Sequence, residues 1–268
     1  MTSTDLESSS SQYWSAADSA SLSQTGDITL ECWFKAESLG TADIIAKDRN
    51  TGDNRAIIVR LTSSNISLYI NDDGTGTGWD SGEAQSYTFD TGVWYHIAIA
   101  YDASAGTKDF YVNGVNIGQA TGQNTSIYDS TALFTIGGSN EGGAGANFYD
   151  GLVSDVRYWS DIRTAAEIKD NMTSALDGTE ANLVGYWPMN YNGLDKTSND
   201  NNLTNNNSAT FSQTDVPNWS GSSFATDLEA GSTQYWSITD AAQTGLEPAN
   251  FSIVTGKHLS DKRLLSCY

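Results

Sequence analysis

The chain has 268 residues, and its 33 acidic against 13 basic side chains give a formal net charge of −20. Because binding to a phosphate backbone depends on Lys and Arg, this charge argues against nucleic acid as a partner. No apolar run reaches the roughly eighteen residues that a membrane-spanning helix needs, so no membrane insertion is expected. No signal peptide is visible either.

The opening of the sequence returns near its other end. TDLESSSSQYWS from Thr4 is repeated as TDLEAGSTQYWS from Thr226, with nine of twelve positions identical at a spacing of 222 residues. Repetition at a fixed spacing indicates a complete unit followed by another of the same kind. We therefore expect one domain over residues 1–222 and a truncated start of a second copy, with an aberrant tail, over residues 223–268. The alternative for the tail is a genuine short extension.

Short runs with period-two alternation follow one another along the chain, separated by Gly, Asn, Asp and Ser, which predicts strands. In chain order these are DITLECWF, AIIVRL, NISLYIN, WYHIAIAYD, KDFYV, ALFTIGG, GLVSDVRYW and NLVGYWPM. Asn113-Gly114 predicts a type I′ hairpin, and Thr164 with Glu167 predicts a capping box that opens a short helix in TAAEIKDNM. Leu203 and Phe211 suggest a last, weak strand. Many short strands and one helix predict an all-β sandwich of two antiparallel sheets.

Four of these stretches together resemble a known family. QYWSAADSASLSQTGDITLECWFK (12–35), WYHIAIAYDASAGTKDFYVNGV (94–115), FYDGLVSDVRYWSDIRTAAEI (148–168) and LVGYWPMN (183–190) are similar to laminin-G-like members of the concanavalin A-like lectin/glucanase superfamily. The resemblance covers roughly residues 4–220 and extends to pentraxins. It implies a jelly roll of two curved antiparallel sheets.

Some members of this superfamily cleave glycans, so we considered catalysis. The glucanase pattern Glu-x-Asp-x-x-Glu is absent, and Glu31 has no acidic residue two positions away on its strand. Retaining glycosidases need two carboxylates about 5 Å apart. His96 lies inside a predicted strand, where a structural role is expected. The sequence therefore predicts a protein that is not an enzyme, with a glycoside hydrolase as the least favoured alternative.

The pentraxin resemblance also implies a calcium site. GDNRAIIV (52–59) is similar to the pentraxin stretch whose Asp-Asn pair binds calcium, which assigns Asp53 and Asn54 as ligands. In the later loop, Asn140 and Glu141 fall where the second ligand cluster begins, and Asp150 falls near its last acidic ligand. Carboxylate and amide oxygens suit Ca²⁺, but the same residues are common in turns. Asp72, Asp73 and Asp80 form an alternative acidic loop, or a solvated hairpin tip.

Eight Trp and thirteen Tyr raise the question of which aromatic rings are exposed. Sugar rings stack on exposed aromatic faces, since such side chains combine an apolar body with a polar end. Trp79, in a Gly-rich acidic loop, and Tyr149, beside Asp150, are the predicted ligand-binding residues. Trp33, Trp94, Trp159 and Trp187 are expected to pack on or between the sheets.

These observations favour a non-catalytic carbohydrate-binding or adhesion module, assisted by Ca²⁺, in a larger multi-domain surface or virion protein. Its expected partners are a glycan or cell-surface polysaccharide and adjacent domains of the same parent protein, in an extracellular, cell-surface or virion setting. A structural spacer that binds no ligand is the alternative. Segment 226–253 carries strand patterning whose partner strands are missing, so we expect it to be disordered or to pair with a neighbouring chain.

Overall fold

Alternating apolar and polar residues form a β-rich unit in the computed structural model, which describes residues 2–80, 84–139 and 145–217. Within these residues there are fifteen strands, one α-helix and one 3-10 turn. The strands are β1 (Ser3–Leu6), β2 (Tyr13–Ala16), β3 (Ile28–Ala36), β4 (Ala42–Arg49), β5 (Asn54–Leu61), β6 (Asn65–Ile70), β7 (Gln85–Ser86), β8 (Trp94–Asp102), β9 (Thr107–Val112), β10 (Val115–Thr121), β11 (Phe134–Ile136), β12 (Gly151–Trp159), β13 (Leu183–Trp187), β14 (Thr204–Asn206) and β15 (Thr210–Ser212). The turn spans Ser8–Ser10, and helix α1 spans Ala165–Asn171.

The strands form two antiparallel sheets that pack face to face. Sheet A has the order β10-β9-β8-β3-β12-β1-β15, and β13 pairs with the second half of β12. Sheet B has the order β14-β2-β11-β4-β5-β6-β7. This architecture confirms the predicted all-β, two-sheet jelly-roll sandwich with one short helix.

The core lies between the inner faces of the two sheets. Trp187, with no exposed surface, stacks on Phe134 with ring centroids 5.0 Å apart. Phe134 in turn stacks on Tyr158 at 5.7 Å. Burial of such large aromatic side chains contributes strongly to the stability of the folded sandwich.

The outer face of sheet A is covered by helix α1 and the segment after it. Thr164 accepts a hydrogen bond from the Glu167 backbone, and the Glu167 side chain accepts one from the Thr164 backbone, which confirms the predicted capping box. Ile168 packs on sheet A, and the Trp33 indole donates to the Met172 carbonyl at 2.7 Å. Trp33 and Trp159 are therefore buried outside the sandwich core, beneath this cover.

Two further local predictions can be compared with the structure. Asn113 and Gly114 both have positive φ, 50° and 74°, as a type I′ turn between β9 and β10 requires. The single weak strand expected around Leu203 and Phe211 is instead two short strands, β14 in sheet B and β15 in sheet A. Trp94 is half-buried, and its indole donates to Asp215 at 2.9 Å.

All of these elements belong to one compact unit, Met1–Ser222. The repeated segment from Thr226 and the predictions made for residues 223–268 lie outside the described residues. In the part of the chain that the structure describes, no helix is long and apolar enough to cross a membrane.

Candidate functional site

Trp79 lies at the end of the loop that follows β6, on the outer face of sheet B. The loop is held by Asn71, whose side chain accepts from the Gly74 backbone at 2.6 Å and donates to the Thr75 carbonyl at 2.7 Å. An isolated bridge pairs Asn71 with Trp79. Gly74 adopts a φ of 79° and sits close to Tyr128, a position where a side chain would be strained and obstructed. The loop therefore presents Trp79 in a defined place, half-buried beside β6.

A groove of about 220 Å³ opens beside Trp79 and is lined by Arg55, Ile58, Arg60, Tyr69, Trp79 and Asp80. The Tyr69 and Trp79 rings meet edge to face, with centroids 6.2 Å apart. Each ring carries a guanidinium: Arg55 lies 5.7 Å from the Trp79 centroid and Arg60 lies 5.4 Å from that of Tyr69. We call these four residues the arginine–aromatic groove.

Pairing of strands β5 and β6 brings these side chains to one face. Ile58 is directly opposite Tyr69, and Arg60 is directly opposite Ser67. Arg60 and Tyr69 are therefore diagonal neighbours, which long side chains can bridge. The alternate residues of β5, Ile57 and Val59, point into the core.

A buried lysine anchors the loop from beneath. Lys108 of β9 has no exposed side-chain surface, and its ammonium donates to Asp80 at 2.5 Å and to the Leu68 carbonyl at 2.6 Å. Asp80 also accepts from the Ile70 backbone at 3.2 Å. Because Asp80 directly follows Trp79, this ion pair positions the indole.

The acidic side chains near the groove lie behind the arginines. Both Asp43 oxygens are engaged by Arg60, at 2.6 and 3.1 Å, and Asp43 has no exposed surface. Asp48 is likewise inaccessible, 3.6 Å from Arg55. The two arginine side chains stay 25% and 18% exposed. Solvent therefore meets guanidinium groups and aromatic rings, a surface able to stack on an apolar ring face and to donate hydrogen bonds.

Tyr149, the second predicted platform, does not reach the surface. It is 1% exposed, and its ring packs edge to face on Phe34 at 6.2 Å. Burial raises the pKa of Tyr149 well above its usual value. The assignment of Tyr149 as a stacking residue is wrong, because its ring belongs to the sandwich core.

Asn54 is buried at the start of β5 and works as a structural clamp. Its amide oxygen accepts from the Ser130 hydroxyl at 2.9 Å and the Thr131 backbone at 2.8 Å, and its amide nitrogen donates to Thr131 at 3.0 Å. Asp53 is exposed and has a φ of 48°, a left-handed turn conformation that Asp tolerates. These contacts account for the Asp-Asn pair without a metal ion.

Among the described residues, the predicted calcium ligands Asp53 and Asn54 are not brought together with Asp150. Asn54 pairs with Arg49 at one end of the β4–β5 hairpin, whereas Asn147 donates to Asp43, opposite Arg60, at the other end. Six residues of extended chain separate Asn54 from Arg60, which is about 20 Å. Ligands of one Ca²⁺ lie about 2.3–2.6 Å from the ion. The proposed set is therefore corrected: Asp53 and Asn54 cannot share an ion with the loop at residues 145–150.

Of the other predicted calcium ligands, the structure describes only Asp150. Asp150 accepts from the Ser8 backbone and hydroxyl, both at 3.0 Å. Burial raises its pKa, but hydrogen bonds from Ser38 and Ser8 outweigh that effect, and the net pKa lies below the usual value. Asn140 and Glu141 lie outside the described residues.

In the alternative acidic loop, the carboxylates of Asp73 and Asp80 already have partners within the protein. Asp73 accepts from the Thr75 backbone and hydroxyl at 2.7 and 2.8 Å, and Asp80 is bound by Lys108. Across residues 2–80, 84–139 and 145–217, no group of three His, Cys, Asp or Glu side chains is arranged to hold a metal ion.

A second cluster of arginine, aromatic and acidic side chains lies on sheet A, and sequence reasoning missed it. Glu31 accepts from the Trp159 indole at 2.6 Å and lies 3.2 Å from His96 Nε2. Arg157 lies 2.6 Å from Asp155, which has a φ of 55° where two residues of β12 bulge opposite β3. Glu31 and Asp155 lie on different strands, and the bulge in β12 brings Asp155 close to Glu31 on β3. Residue spacing along a single strand therefore could not reveal this pair of carboxylates.

We call Glu31, His96, Asp155 and Arg157 the buried charge cluster, since each is at most 2% exposed. Arg157 donates to the Asn171 and Ser174 carbonyls of the covering segment, at 3.1 and 2.7 Å. Burial raises the pKa of Glu31, but Arg157 and His96 outweigh it, so the net pKa is lowered. Burial dominates at Asp155, whose pKa is raised. His96 has no exposed surface, which is consistent with the structural role expected from its place in a strand.

Comparison with known proteins agrees with the observed architecture. A laminin G family model described as the concanavalin A-like lectin/glucanases superfamily matches residues 8–169. A structure from Bacteroides ovatus ATCC 8483, provisionally named a carbohydrate binding protein, is 19% identical over 81% of this chain, with a TM-score of 0.61. This chain spans only 60% of that protein's length.

Two other solved structures share the fold at low sequence identity. The heptameric SAP-like pentraxin of Limulus polyphemus is 12% identical, with a TM-score of 0.57, over 79% of this chain and 94% of its own. The CBM40 domain of Ruminococcus gnavus IT-sialidase is 13% identical, with a TM-score of 0.50, over 63% of this chain and 95% of its own. No curated protein matches the sequence.

Proposed function

Because the chain belongs to the concanavalin A-like lectin/glucanase superfamily, we propose that residues 1–222 form a non-catalytic carbohydrate-binding or adhesion module. Its binding site is the arginine–aromatic groove on sheet B. We further propose that the module acts outside the cell, as part of a larger surface or virion protein whose adjacent domains are its other partners.

One observation carries this proposal: two aromatic rings and two guanidinium groups meet in one open groove. Tyr69 and Trp79 offer apolar faces, while Arg55 and Arg60 supply donors at the same place. Ligand sites typically combine apolar walls with a few polar groups that orient the ligand. A sugar matches this arrangement because its ring has an apolar C–H face and polar edges. The name carried by the Bacteroides ovatus structure is consistent with this class of ligand.

The carboxylates of the buried charge cluster and of the groove support binding rather than cleavage. Glu31 and Asp155 are the acidic residues of the buried charge cluster, and each is at most 2% exposed beneath α1. A polysaccharide cannot reach them without removal of that cover. At the groove, Asp43 and Asp80 are already bound by Arg60 and Lys108. Neither pair offers the two accessible carboxylates that glycoside hydrolysis needs.

The test is a glycan array with the 268-residue chain, followed by calorimetry on the best ligand with wild type and Trp79→Ala. Loss of the indole should weaken binding at least ten-fold, which corresponds to about 1.4 kcal/mol. Tyr191→Ala is the matched control, because Tyr191 is 56% exposed on the sheet A side and should leave affinity unchanged.

Absence of any glycan binding, or unchanged affinity in Trp79→Ala, would contradict the proposal and favour a spacer without a ligand. Calcium assistance stays a separate prediction. Repeating the titration with millimolar calcium and with EDTA tests it, and the ligand set assigned from sequence does not support it.

A further inference from the structure

Resting on the proposed function, we infer that the ligand of the groove is an acidic sugar whose carboxylate binds Arg55. The polar groups of the arginine–aromatic groove differ in whether they already form hydrogen bonds within the protein, and this difference indicates the chemical class of the ligand.

Arg55 is the group left with donors to offer. Its guanidinium donates no hydrogen bond to any of the described residues, and the nearest carboxylate oxygen among them, Asp48 Oδ1, lies 3.6 Å away. That separation is too long for a hydrogen bond. The Arg55 side chain is 18% exposed while Asp48 has no exposed surface, so a ligand meets the guanidinium and not the carboxylate.

Arg60 is engaged differently. Asp43 accepts from it at two positions, 2.6 and 3.1 Å, in the bidentate geometry that satisfies a guanidinium fork. Arg60 therefore holds its place over Tyr69 as part of the wall. We therefore assign binding of the ligand's carboxylate to Arg55, and the positioning of the Tyr69 side of the groove wall to Arg60.

Acceptors in the groove are scarce. Asp43 also accepts from Asn147 at 2.9 Å, and Asp80 accepts from Ile70 and Lys108. The Trp79 indole N–H donates to none of the described residues. A sugar hydroxyl both donates and accepts, and the Tyr69 hydroxyl is the uncharged side-chain group of the lining that could accept its proton. A carboxylate only accepts and can bind a guanidinium through two oxygens, so it complements a donor-rich groove.

The net charge of the chain opposes anions at long range but not at contact. Fields from exposed charges are screened within about 8 Å at physiological ionic strength. At contact a ligand meets the guanidinium and aromatic groups that line the groove, while the exposed Asp72 and Asp73 lie in the same loop as Trp79. The formal charge of −20 should therefore slow association of a polyanion more than it weakens the bound state.

The experiment compares acidic sugars with their neutral counterparts by calorimetry, using the 268-residue chain at pH 7 and about 0.15 M salt. The probes are oligogalacturonate and its methyl ester, glucuronoxylan and xylan, and sialyllactose and lactose. At least one acidic member should bind ten-fold or more tightly than its neutral partner. Arg55→Met should reduce that ratio to near one, and Arg55→Lys should retain part of it.

Lys169→Met is the control, because it removes one positive charge at an exposed position on α1, outside the groove. It should leave the ratio unchanged. A loss in Lys169→Met equal to that in Arg55→Met would overturn the inference, since the effect would then come from overall charge.

Equal binding of acidic and neutral members also overturns the inference but leaves the proposed carbohydrate-binding function intact. Binding of neither, across these probes and the array, counts against both. Tighter binding of a sulfated oligosaccharide than of every uronate would contradict the carboxylate assignment.

Discussion

The outer faces of the two sheets carry the same kinds of side chain in opposite settings. On sheet A, Arg157 lies 5.7 Å from the Tyr186 ring beside two carboxylates, and all of these groups are buried beneath α1. On sheet B, Arg55 and Arg60 lie over Trp79 and Tyr69 in a groove open to solvent. Composition alone would nominate either cluster as a binding site.

The difference between them is the covering segment. Residues 165–176 cross sheet A, and their backbone carbonyls accept from Arg157 and Trp33. The buried Arg157 guanidinium thus donates hydrogen bonds to backbone carbonyls of the covering segment, whereas the Arg55 guanidinium donates none to the residues that the structure describes. We conclude that the same residue types stabilise the fold where they are covered and are available to a ligand where they are open.

The largest expected effect is a difference in unfolding free energy between a variant of the buried charge cluster and a variant of the groove. Arg157→Met leaves Glu31 and Asp155 buried without their cation, and should lower the free energy of unfolding by about 3–5 kcal/mol. Arg55→Met removes a partly exposed charge but also the cation nearest to the buried Asp48, so it should cost less than Arg157→Met, about 1–3 kcal/mol. Urea unfolding monitored by tryptophan fluorescence measures both. Equal losses would mean that the groove is as much a part of the structural framework as the buried cluster.

A smaller loss of stability is expected from the Lys108–Asp80 ion pair, which lies beneath the arginine–aromatic groove. Lys108→Met removes the buried partner of Asp80, so it should cost roughly 3 kcal/mol of stability, the low end for breaking a buried ion pair. It should also weaken glycan binding, although Lys108 does not line the groove, because Trp79 loses its anchor. Adding Asp80→Asn should recover part of the stability. Failure of the double variant to recover any would contradict the assigned role of this pair.

The smallest effect is a pH dependence located in the buried charge cluster. The pKa of Glu31 is lower in the folded state than in the unfolded chain, so its contribution is present above the unfolded pKa and lost as pH falls through the folded value. Unfolding free energy should therefore decline between about pH 5 and pH 3, and Glu31→Gln should show a shallower decline. Asp155, with a raised pKa, contributes with the opposite sign. Identical slopes in the two proteins would exclude Glu31 as the source.

Local elements of this fold were predictable because their causes are local. Period-two alternation identified β3, β6 and β8, and the Thr164–Glu167 pair identified the start of α1. The hairpin at Asn113-Gly114 followed from the positive φ angles that a type I′ turn demands. In each case a few neighbouring residues specify the backbone.

The site was predictable only in part. Of the candidate site's residues, Trp79 was proposed from its Gly-rich loop, but Arg55, Arg60 and Tyr69 were not, because they meet it through pairing of β5 with β6. Alternation along AIIVRL could have placed Arg60 on the outer face, although nothing local shows that this face is open. Tyr149 was misassigned because its neighbour Asp150 suggested a loop, whereas its ring packs against Phe34.

By itself, the sequence determined many of the strands, the capped helix, the tight hairpin and the two-sheet class, since these depend on periodicity and turn chemistry within a few residues. Tertiary structure alone decided which end of the β4–β5 hairpin faces the loop at residues 145–150, and so separated Asp53 and Asn54 from Asp150. It alone decided which arginine–aromatic cluster is covered by α1. The physical reason is that strand register and the path of a covering segment depend on contacts between residues far apart in the chain.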